Sequence, residues 1–597
     1  MASSIEDNKS LSLTPTREDA VVAYEGVKTV EATHKVYGKY SKWFLFIGLG
    51  LAAYIYSLDG STTYTYLSYA ASAFEDHTLI STIQVAQSII IAVGKPVIAK
   101  VADVTSRGLA YTVVLIFYVV GYIVIASSKN IQTVGGGIIL YAIGYTYVDT
   151  VKLFIPSADH HHSGLQLLTQ IIIADITTLK WRGLVSSLIS MPFIINAFIG
   201  ANVSASVIKH AGWRWGYGMF AILIPVSLLP LITTLLWAEN KAKKLGITPK
   251  PNRTAKGLFE QIMDGANRLD IPGLVLIGTC VALILLPLTL SSSAEGGWNN
   301  PSMIAMIVIG CVLVPFIGIY EFNFAKYPVI PRRFAVNRSI VIASIIGALD
   351  FISFYLSFTY LYSYILIVKP WSLVNTTYFT QTQTVALTVF GIVAGLSMRF
   401  MRRTKWLLVV GLGIRILGVG LMIHSRGAHG SDAELVWTQL LQGIGGGFAA
   451  VASQVSAQAA VPHADVAMCT AVVLLITEIG GAIGSGIAGA IWSNLMPDKL
   501  AQHLPFVSEE DRAALFGSIT TVLAYDRGTP IREGVIAAYS DVMKVMIIVA
   551  TVIAVVPFAL SFLMPNWYLG DKQNAVEDAG LAGERVVDPV PTDHERQ

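Results

Sequence analysis

The chain has 597 residues, of which 54% are hydrophobic and 13% are charged, and its formal net charge is +3. Soluble domains average about 25% charged residues, so a chain of this composition cannot cover its own surface in water. The small net charge gives no indication of nucleic-acid binding. We therefore predict an integral membrane protein. The three cysteines, Cys280, Cys311 and Cys469, lie in apolar stretches and are expected to be small core residues.

Apolar segments predict fourteen membrane-spanning helices. A span needs roughly 20 mostly apolar residues to cross about 30 Å of hydrocarbon. Residues 1–42 are polar, with no short apolar core and no cleavage site, so we expect the first span to direct insertion without a signal peptide. The predicted spans begin near Trp43, Leu79, Leu109, Gln132, Leu184, Gly216, Ile271, Met303, Ile340, Tyr378, Trp406, Leu435, Val466 and Val545.

The distribution of basic residues predicts the orientation of the chain. Lys and Arg accumulate in the connections after predicted spans 2, 4, 6, 8 and 10 and are scarce in the alternate connections up to span 11. Because Lys and Arg mark cytoplasmic loops, we expect both termini to be cytoplasmic. The connection after span 12 has no basic residue, so the last pair of spans is predicted from hydropathy alone.

The loop after span 2 resembles a signature of the major facilitator transporters. It reads GKPVIAKVADVTSRG and keeps the acid and the arginine of a glycine-aspartate-arginine pattern, as Asp103 and Arg107. Lys100 stands where a glycine is expected. In that superfamily the acid caps a helix and pairs with basic groups, which implies a gate on the cytoplasmic side.

Three further stretches resemble the fungal siderophore-iron transporter family. They are YSLDGSTTYTYLSYAASAF in and after span 1, GLQLLTQIIIADITTLKWRG before span 5, and NWYLGDKQNAVE after the last span. Asp175 and Arg182 in the second stretch complete the expected cytoplasmic-gate motif. The similarity extends from about Lys42 to Glu577.

The resemblance implies an all-α integral membrane protein with the major facilitator fold. Its 14 transmembrane helices would form two pseudo-symmetric six-helix halves plus an extra pair. The predicted parts are a disordered cytoplasmic tail (1–42), the first half (43–237), a cytoplasmic linker (238–270), the extra pair (271–323), the second half (324–564) and a cytoplasmic tail (565–597). A long outer loop, 497–540, is expected within the second half.

Ionisable residues inside spans cost about 2.5 to 3.5 kcal/mol each on insertion scales and are therefore functional candidates. Asp59, Asp350 and Glu478, in spans 1, 9 and 13, are candidates for proton coupling. Span 9 is the expected counterpart of span 1, and both carry Leu-Asp followed by aromatic and hydroxyl residues. The alternative is that each acid only fixes helix packing. Arg415 in span 11 is expected to snorkel or to pair internally.

Amides and tyrosines in the spans suit a bulky, oxygen-rich and often neutral chelate better than a fixed charge does. The substrate-cavity candidates are Tyr64, Tyr66, Gln84, Gln87, Tyr360, Gln381, Gln383, Gln439 and Gln442. For any single glutamine the competing interpretation is a polar contact between helices, worth about 0.6 to 2 kcal/mol. In the outer loop, Tyr525 and Tyr539 are candidates for substrate capture, although a plain folded lid explains the loop equally well.

The segment Tyr147–Ser163, YVDTVKLFIPSADHHHS, interrupts span 4. Removing it joins its flanks into one continuous span, and its possible codons admit intron boundaries in frame. We interpret it as a retained intron, with a genuine insertion in the outer cavity as the alternative. A metal site at His160, His161 and His162 is disfavoured, because consecutive residues point to different sides of a helix.

The family resemblance implies a secondary transporter that imports ferric siderophores, of hydroxamate type, together with protons. We expect no enzymatic activity, no cofactor, no resident metal and a monomer in the plasma membrane, with endosomal membranes as an alternative location. No phosphate-binding motif of an ATP-driven pump is present. A drug:proton antiporter is the first alternative. Such exporters resemble one another in a Gly-Pro pair in span 5, whereas Pro192 in span 5 of this chain is not preceded by glycine. A nutrient sensor is the second.

Overall fold

A computed structural model describes residues 39–102, 107–146, 177–245, 270–291, 294, 296–427, 430–462, 465–572 and 574–576. The suspected intron at 147–163, with its three histidines, lies outside the described residues. So do Asp103 and Asp175 of the expected gate motif, and the side chain of Arg107 is likewise not described. These predictions therefore stay predictions.

The described chain is helical, apart from an isolated β-bridge between Arg403 and Tyr568. The first seven helices are α1 (Lys39–Ala73), α2 (Leu79–Ala102), α3 (Arg107–Ala126), α4 (Ile131–Thr146), α5 (Leu179–Ile189), α6 (Pro192–His210) and α7 (Gly212–Lys244). Two more, α8 (Ile271–Leu290) and α9 (Pro301–Ile319), follow with a 3-10 turn (Gly297–Asn299) between them and a π-turn (Tyr320–Phe324) after them.

The remaining ten helices make up the rest of the described chain. They are α10 (Arg332–Ala335), α11 (Arg338–Phe358), α12 (Leu361–Val368), α13 (Leu373–Met401), α14 (Lys405–Ser425), α15 (Asp432–Ala459), α16 (Val466–His503), α17 (Glu509–Gly517), α18 (Ile519–Leu523) and α19 (Pro530–Ser561). We call α1–α7 the first half, α8 and α9 the extra pair, and α11–α19 the second half.

Every predicted span start falls on one of these helices, whereas the part of span 4 after residue 146 lies outside the described residues. Eleven segments of the described chain are long and apolar enough to cross a membrane, with α5–α6 and α11–α12 each counting as one. In α3 and α4 the apolar stretches are shorter, Leu115–Ala126 and Ile131–Ala142, and α1 is not among the eleven. The chain is thus a multi-pass membrane protein, while the count of fourteen stays a prediction.

The two halves meet along two seams. In one, α2 packs against α16, and in the other, α5 and α6 pack against α13. Small residues allow the close approach: a Cβ added to Gly395 in α13 would lie 2.5 Å from Cα of Leu184 in α5. At the other seam, a Cβ added to Gly489 in α16 would lie 2.7 Å from Cβ of Ser81 in α2. Glycines at these positions therefore serve helix packing.

The extra pair covers the first seam from one side. α8 packs on both α2 and α16, whereas α9 packs mainly on α8. Exposed apolar side chains such as Val312 and Phe316 cover α9, as expected for a helix that faces lipid. Cys311 in α9 is exposed, so its prediction as a core residue is wrong, whereas Cys280 and Cys469 are buried as predicted.

The predicted outer loop at 497–540 is mostly helical. α16 continues through Pro497 to His503, and α19 begins at Pro530, where the Thr529 side chain caps it by accepting a hydrogen bond from the backbone N–H of Arg532. Hydropathy detects only the apolar part of each helix, and both helices continue beyond it. We call residues 504–529, which include α17 and α18, the cap.

The cap lies over the turn between α1 and α2. The backbone N–H of His77 in that turn donates to the Gly517 carbonyl at 3.2 Å, and the N–H of Ile519 donates to the Ser72 hydroxyl at 3.3 Å. Burial lowers the pKa of His77 to about 3, so its ring is neutral near pH 7. Arg532 completes the attachment by donating to the carbonyls of Val522 and Ile367. The cap thereby joins both halves at what we call the His77 end.

A second connection joins the halves at the opposite end, which we call the Trp567 end. Here the segment after α19, residues 566–576, packs across the bundle, and we call it the strap. Its Lys572 carbonyl accepts from the N–H of Leu179 at 3.0 Å, and Asp571 forms an ion pair with Lys180. On the other side, the N–H of Leu569 donates to the Arg402 carbonyl at 2.9 Å. The predicted tail at 565–597 therefore begins with a packed segment.

We expect Gly395→Val to destabilise the seam between α5 and α13. Overpacking costs about 1 to 3 kcal/mol, and more where backbone must move. The thermal unfolding temperature of the detergent-solubilised protein should therefore fall by several degrees. Gly318→Val in α9 is the matched control, because nothing lies within 4 Å of that Cβ position. An unchanged unfolding temperature for Gly395→Val would contradict the described seam.

Candidate functional site

A cavity of about 260 Å³ lies between the two halves. Its wall is formed by α1, α2, α3, α4 and α7 from the first half and by α11, α13 and α16 from the second. Most of the lining side chains are hydroxyls, amides and aromatic rings. Among the described residues that line the cavity, Glu478 is the one with a charged side chain. The cavity therefore offers neutral hydrogen-bonding groups from both halves.

Four of the nine predicted cavity residues line this cavity, namely Tyr64, Gln84, Gln87 and Gln381. The other five, Tyr66, Tyr360, Gln383, Gln439 and Gln442, lie outside the lining and are buried between helices. For these five a role in the cavity stays a prediction, because the described cavity does not include them. The sequence shows which residues lie in a span but not which side of the helix faces the cavity.

Specific contacts explain why these predicted cavity residues lie outside the lining. Tyr66 packs against Tyr217, with ring centroids 5.7 Å apart, and Tyr360 stacks on Trp492 at 4.1 Å. Gln439 accepts a hydrogen bond from Arg426 at 2.8 Å. These residues thus form polar and aromatic contacts between helices.

Tyr64 connects the cavity to a break between α11 and α12. Its hydroxyl donates to the Phe358 carbonyl at 2.8 Å and also contacts the carbonyl of Thr359. The Gln381 amide makes a second cross-half contact, donating to the Ser61 carbonyl at 3.1 Å. Two of the predicted cavity residues therefore hold α1 of the first half against α11 and α13 of the second.

Asp59 is buried beside the cavity, with 2% of its surface exposed. The Tyr122 hydroxyl donates to its Oδ1 at 2.5 Å, and Tyr122 itself stacks on Tyr217 at 6.2 Å. Among the described residues, no Lys, Arg or His forms an ion pair with Asp59. An ionised carboxylate here has no cation to offset the cost of its burial, which favours a bound proton.

Asp350, by contrast, is paired. Its carboxylate forms an ion pair with Nε of Arg415 in α14, and Arg415 also donates to the Asp350 carbonyl at 3.3 Å. Gly446 makes room for the guanidinium. Arg415 therefore pairs internally, as one of its two interpretations predicts. Asp59 and Asp350 occupy similar sequence positions but differ in environment, and Asp350 does not line the cavity.

Glu478 lines the cavity and forms an ion pair with Lys95 at 2.8 Å. The sequence interpretation missed Lys95 because it placed this residue in the loop after span 2. In the structure α2 continues through Pro96 to Ala102, so Lys95 lies within the helix and is 3% exposed. The apolar residues that continue after Pro96 are the signal that favours a longer helix.

The two residues predicted to capture substrate in the outer loop differ in environment. Tyr525 lies in the cap and is 37% exposed, as substrate capture requires, whereas Tyr539 is buried in α19 with its ring 4.9 Å from that of Trp492. Capture by Tyr539 stays a prediction and would require this buried side chain to become exposed. Arg182 of the predicted gate motif is buried near the Trp567 end and donates to the Thr177 carbonyl at 3.3 Å.

Solved structures are similar to this chain in fold. A bacterial homologue of the human lysosomal transporter Spinster, in an inward-facing and occupied conformation, matches with a TM-score of 0.50 and 14% sequence identity. The match covers 88% of this chain and 97% of that one. At this identity the likeness shows the fold alone. The chain has the major facilitator fold, and it is a transporter rather than an enzyme.

Relatives define the family more closely. The low affinity heme transporter str3 of Schizosaccharomyces pombe is 37% identical, over 94% of this chain and 89% of its own length. The MFS siderochrome iron transporter C of Aspergillus fumigatus is 34% identical over 98% and 92%. The siderophore iron transporter 1 of Schizosaccharomyces pombe is 32% identical over 95% and 87%. No family model matches the chain.

The chain belongs to the fungal siderophore-iron transporter family of the major facilitator superfamily. The family resemblance of the three sequence stretches is thereby confirmed.

We expect Tyr122→Phe to destabilise the protein through Asp59. Removing the hydroxyl leaves a buried acceptor without its donor, a loss of about 1 to 3 kcal/mol. Thermal unfolding of the purified protein should show this loss in the parent and a smaller one in an Asp59→Leu background. Equal effects of Tyr122→Phe in both backgrounds would show that the hydroxyl does not act through Asp59.

Proposed function

We propose that this protein imports ferric siderophore chelates by proton symport, through alternating access of the cavity between its two halves. The observation that supports this most is the lining of neutral hydroxyl and amide groups, in which Glu478 is already paired with a cation. Major facilitator transporters bind substrate where their two repeats meet.

The lining fits a hydroxamate chelate as cargo. Three hydroxamates neutralise the charge of iron(III), so the complex presents oxygen acceptors without a net charge at its core. Hydroxyl and amide donors such as Tyr64, Gln84 and Gln87 match such acceptors, and the tyrosine rings provide apolar contact area. Sites for drug-sized ligands occupy about 300 to 1,000 Å³, so the cavity of about 260 Å³ must expand to admit a chelate.

Haem is the second candidate cargo, because the relative str3 is named as a heme transporter. Haem carries two propionate carboxylates, which basic side chains bind best. No Lys, Arg or His lines the described cavity wall. This favours a neutral chelate over haem. Drug export and nutrient sensing gain no support from a particular residue of the site.

The contacts between the halves suit alternating access. At the His77 end the cap and Tyr64 join α1 to the second half. At the Trp567 end the strap and the close packing of Gly395 on Leu184 do the same. Opening the cavity to one side requires breaking one of these sets of contacts while the other is kept. With both termini cytoplasmic in the plasma membrane, the His77 end faces outward.

Asp59 is the proposed proton carrier. It lies beside the cavity wall and has a hydroxyl donor but no cation in the described part of the chain. Such a carboxylate gains a proton when it is enclosed and releases it when water reaches it. Asp350 remains a candidate, but its pair with Arg415 also gives it a structural role.

We expect Asp59→Asn to reach the membrane but to lose most uptake, with a fall of roughly tenfold or more. Proton transfer by a positioned side chain contributes at least that much to a rate. Uptake of radiolabelled ferrichrome, a neutral ferric trihydroxamate, should be measured in yeast lacking its own siderophore carriers. A protonophore should lower uptake by the parent. Parental uptake rates in Asp59→Asn would show that Asp59 only fixes packing.

Gln84→Leu and Gln442→Leu should separate binding from packing. Gln84 lines the cavity, so its loss should raise the apparent uptake constant several-fold with little change in thermal stability. Gln442 is buried and donates to the Ser357 hydroxyl at 3.0 Å, so its loss should lower stability and leave the constant unchanged. The opposite pattern would place substrate at Gln442 and contradict the described cavity.

A further inference from the structure

The ion pair between Lys95 and Glu478 joins the two halves at the wall of the cavity. Lys95 belongs to α2 of the first half and Glu478 to α16 of the second, and their Nζ and Oε1 atoms are 2.8 Å apart. The side chains are 4% and 16% exposed. Any movement that separates α2 from α16 must break this pair.

The surroundings of the pair are asymmetric. An apolar cluster lies along the seam, including Val93 of α2, Leu274 of α8 and Leu475 of α16. α8 packs across both helices here, and a Cβ at Gly278 would lie 3.1 Å from the Val93 side chain. The extra pair therefore shields the seam on one side. Within the described structure, Glu478 meets polar surroundings on the side of the cavity.

Few other charged or titratable groups face Glu478. Tyr355 of α11 also lines the cavity, while the neighbouring Asp350 is paired with Arg415. α8 carries no charged residue between Ile271 and Leu290. Asp541 of α19 pairs with Lys499 and His503 of α16, and these residues lie at the His77 end. Lys95 is therefore the cation that pairs with Glu478 in the described structure.

We propose that Lys95 couples protonation of Glu478 to the separation of α2 from α16, a positioning role that rests on the proton symport proposed above. While the helices are together, the ammonium of Lys95 stabilises the Glu478 carboxylate. When they separate, the carboxylate is left beside apolar neighbours without its cation and takes a proton from water in the cavity. The return of Lys95 releases that proton. The proton thus favours the separated state, because it binds that state more tightly.

The test uses purified protein in liposomes, with radiolabelled ferrichrome as the probe. Two activities are compared: exchange of ferrichrome at equal concentrations, and accumulation driven by an imposed proton gradient. Lys95→Met should retain exchange within about threefold of the parent but lose accumulation by about tenfold, a typical size for coupling between two sites, and Glu478→Gln should lose accumulation to a similar extent. Lys369→Met is the control, because it breaks the ion pair of a half-buried lysine with the exposed Asp432 within one half.

The exchanged pair, Lys95→Glu with Glu478→Lys, decides the matter if a single variant fails to reach the membrane. It retains the cross-half attraction, so it should accumulate more ferrichrome than Lys95→Glu alone. Accumulation no better than that of Lys95→Glu would overturn the inference, as would parental accumulation by Lys95→Met. Failure of the parent itself to exchange or accumulate ferrichrome would instead overturn the proposed function.

Discussion

A charge inside a membrane bundle must find its partner inside the protein, because the hydrocarbon offers neither water nor counterions. This constraint organises the centre of the molecule. Asp350 takes Arg415 within its own half, and Glu478 takes Lys95 from the other half. Asp59 accepts a hydrogen bond from the Tyr122 hydroxyl. Three acids in the same kind of helix thus have three different partners.

The same constraint explains how the halves hold together without becoming fixed. Lipid provides little hydrophobic driving force between helices, so close packing and hydrogen bonds must join them. The seams combine both: glycines such as Gly395 bring backbones into contact, and side chains such as Gln381 and Tyr64 donate to carbonyls across the cavity. Contacts of this kind can be broken at one end while those at the other persist, which is what a two-sided transporter requires.

Much of the fold follows from the sequence, because long apolar helices have an unambiguous signal. The predicted span starts all fall on helices, and the family stretches identify the superfamily. The site is harder to predict. Lys95 and Pro96 favour the end of a span more strongly than the apolar residues after them favour its continuation, so the sequence places Lys95 in a loop although α2 extends to Ala102. Hydropathy also cannot show which side of a helix faces inward, so Gln84 and Gln442 read alike although only Gln84 lines the cavity.

The strap has a consequence for the biogenesis of the protein. Its residues are synthesised after the last span, yet they provide the carbonyl partner of Leu179 and the acid partner of Lys180 at the start of α5. These contacts can form only after ribosomal synthesis has passed Lys572. Until then the start of α5 lacks the partners that the strap provides, so packing at the Trp567 end is completed only after the last described helix has been made.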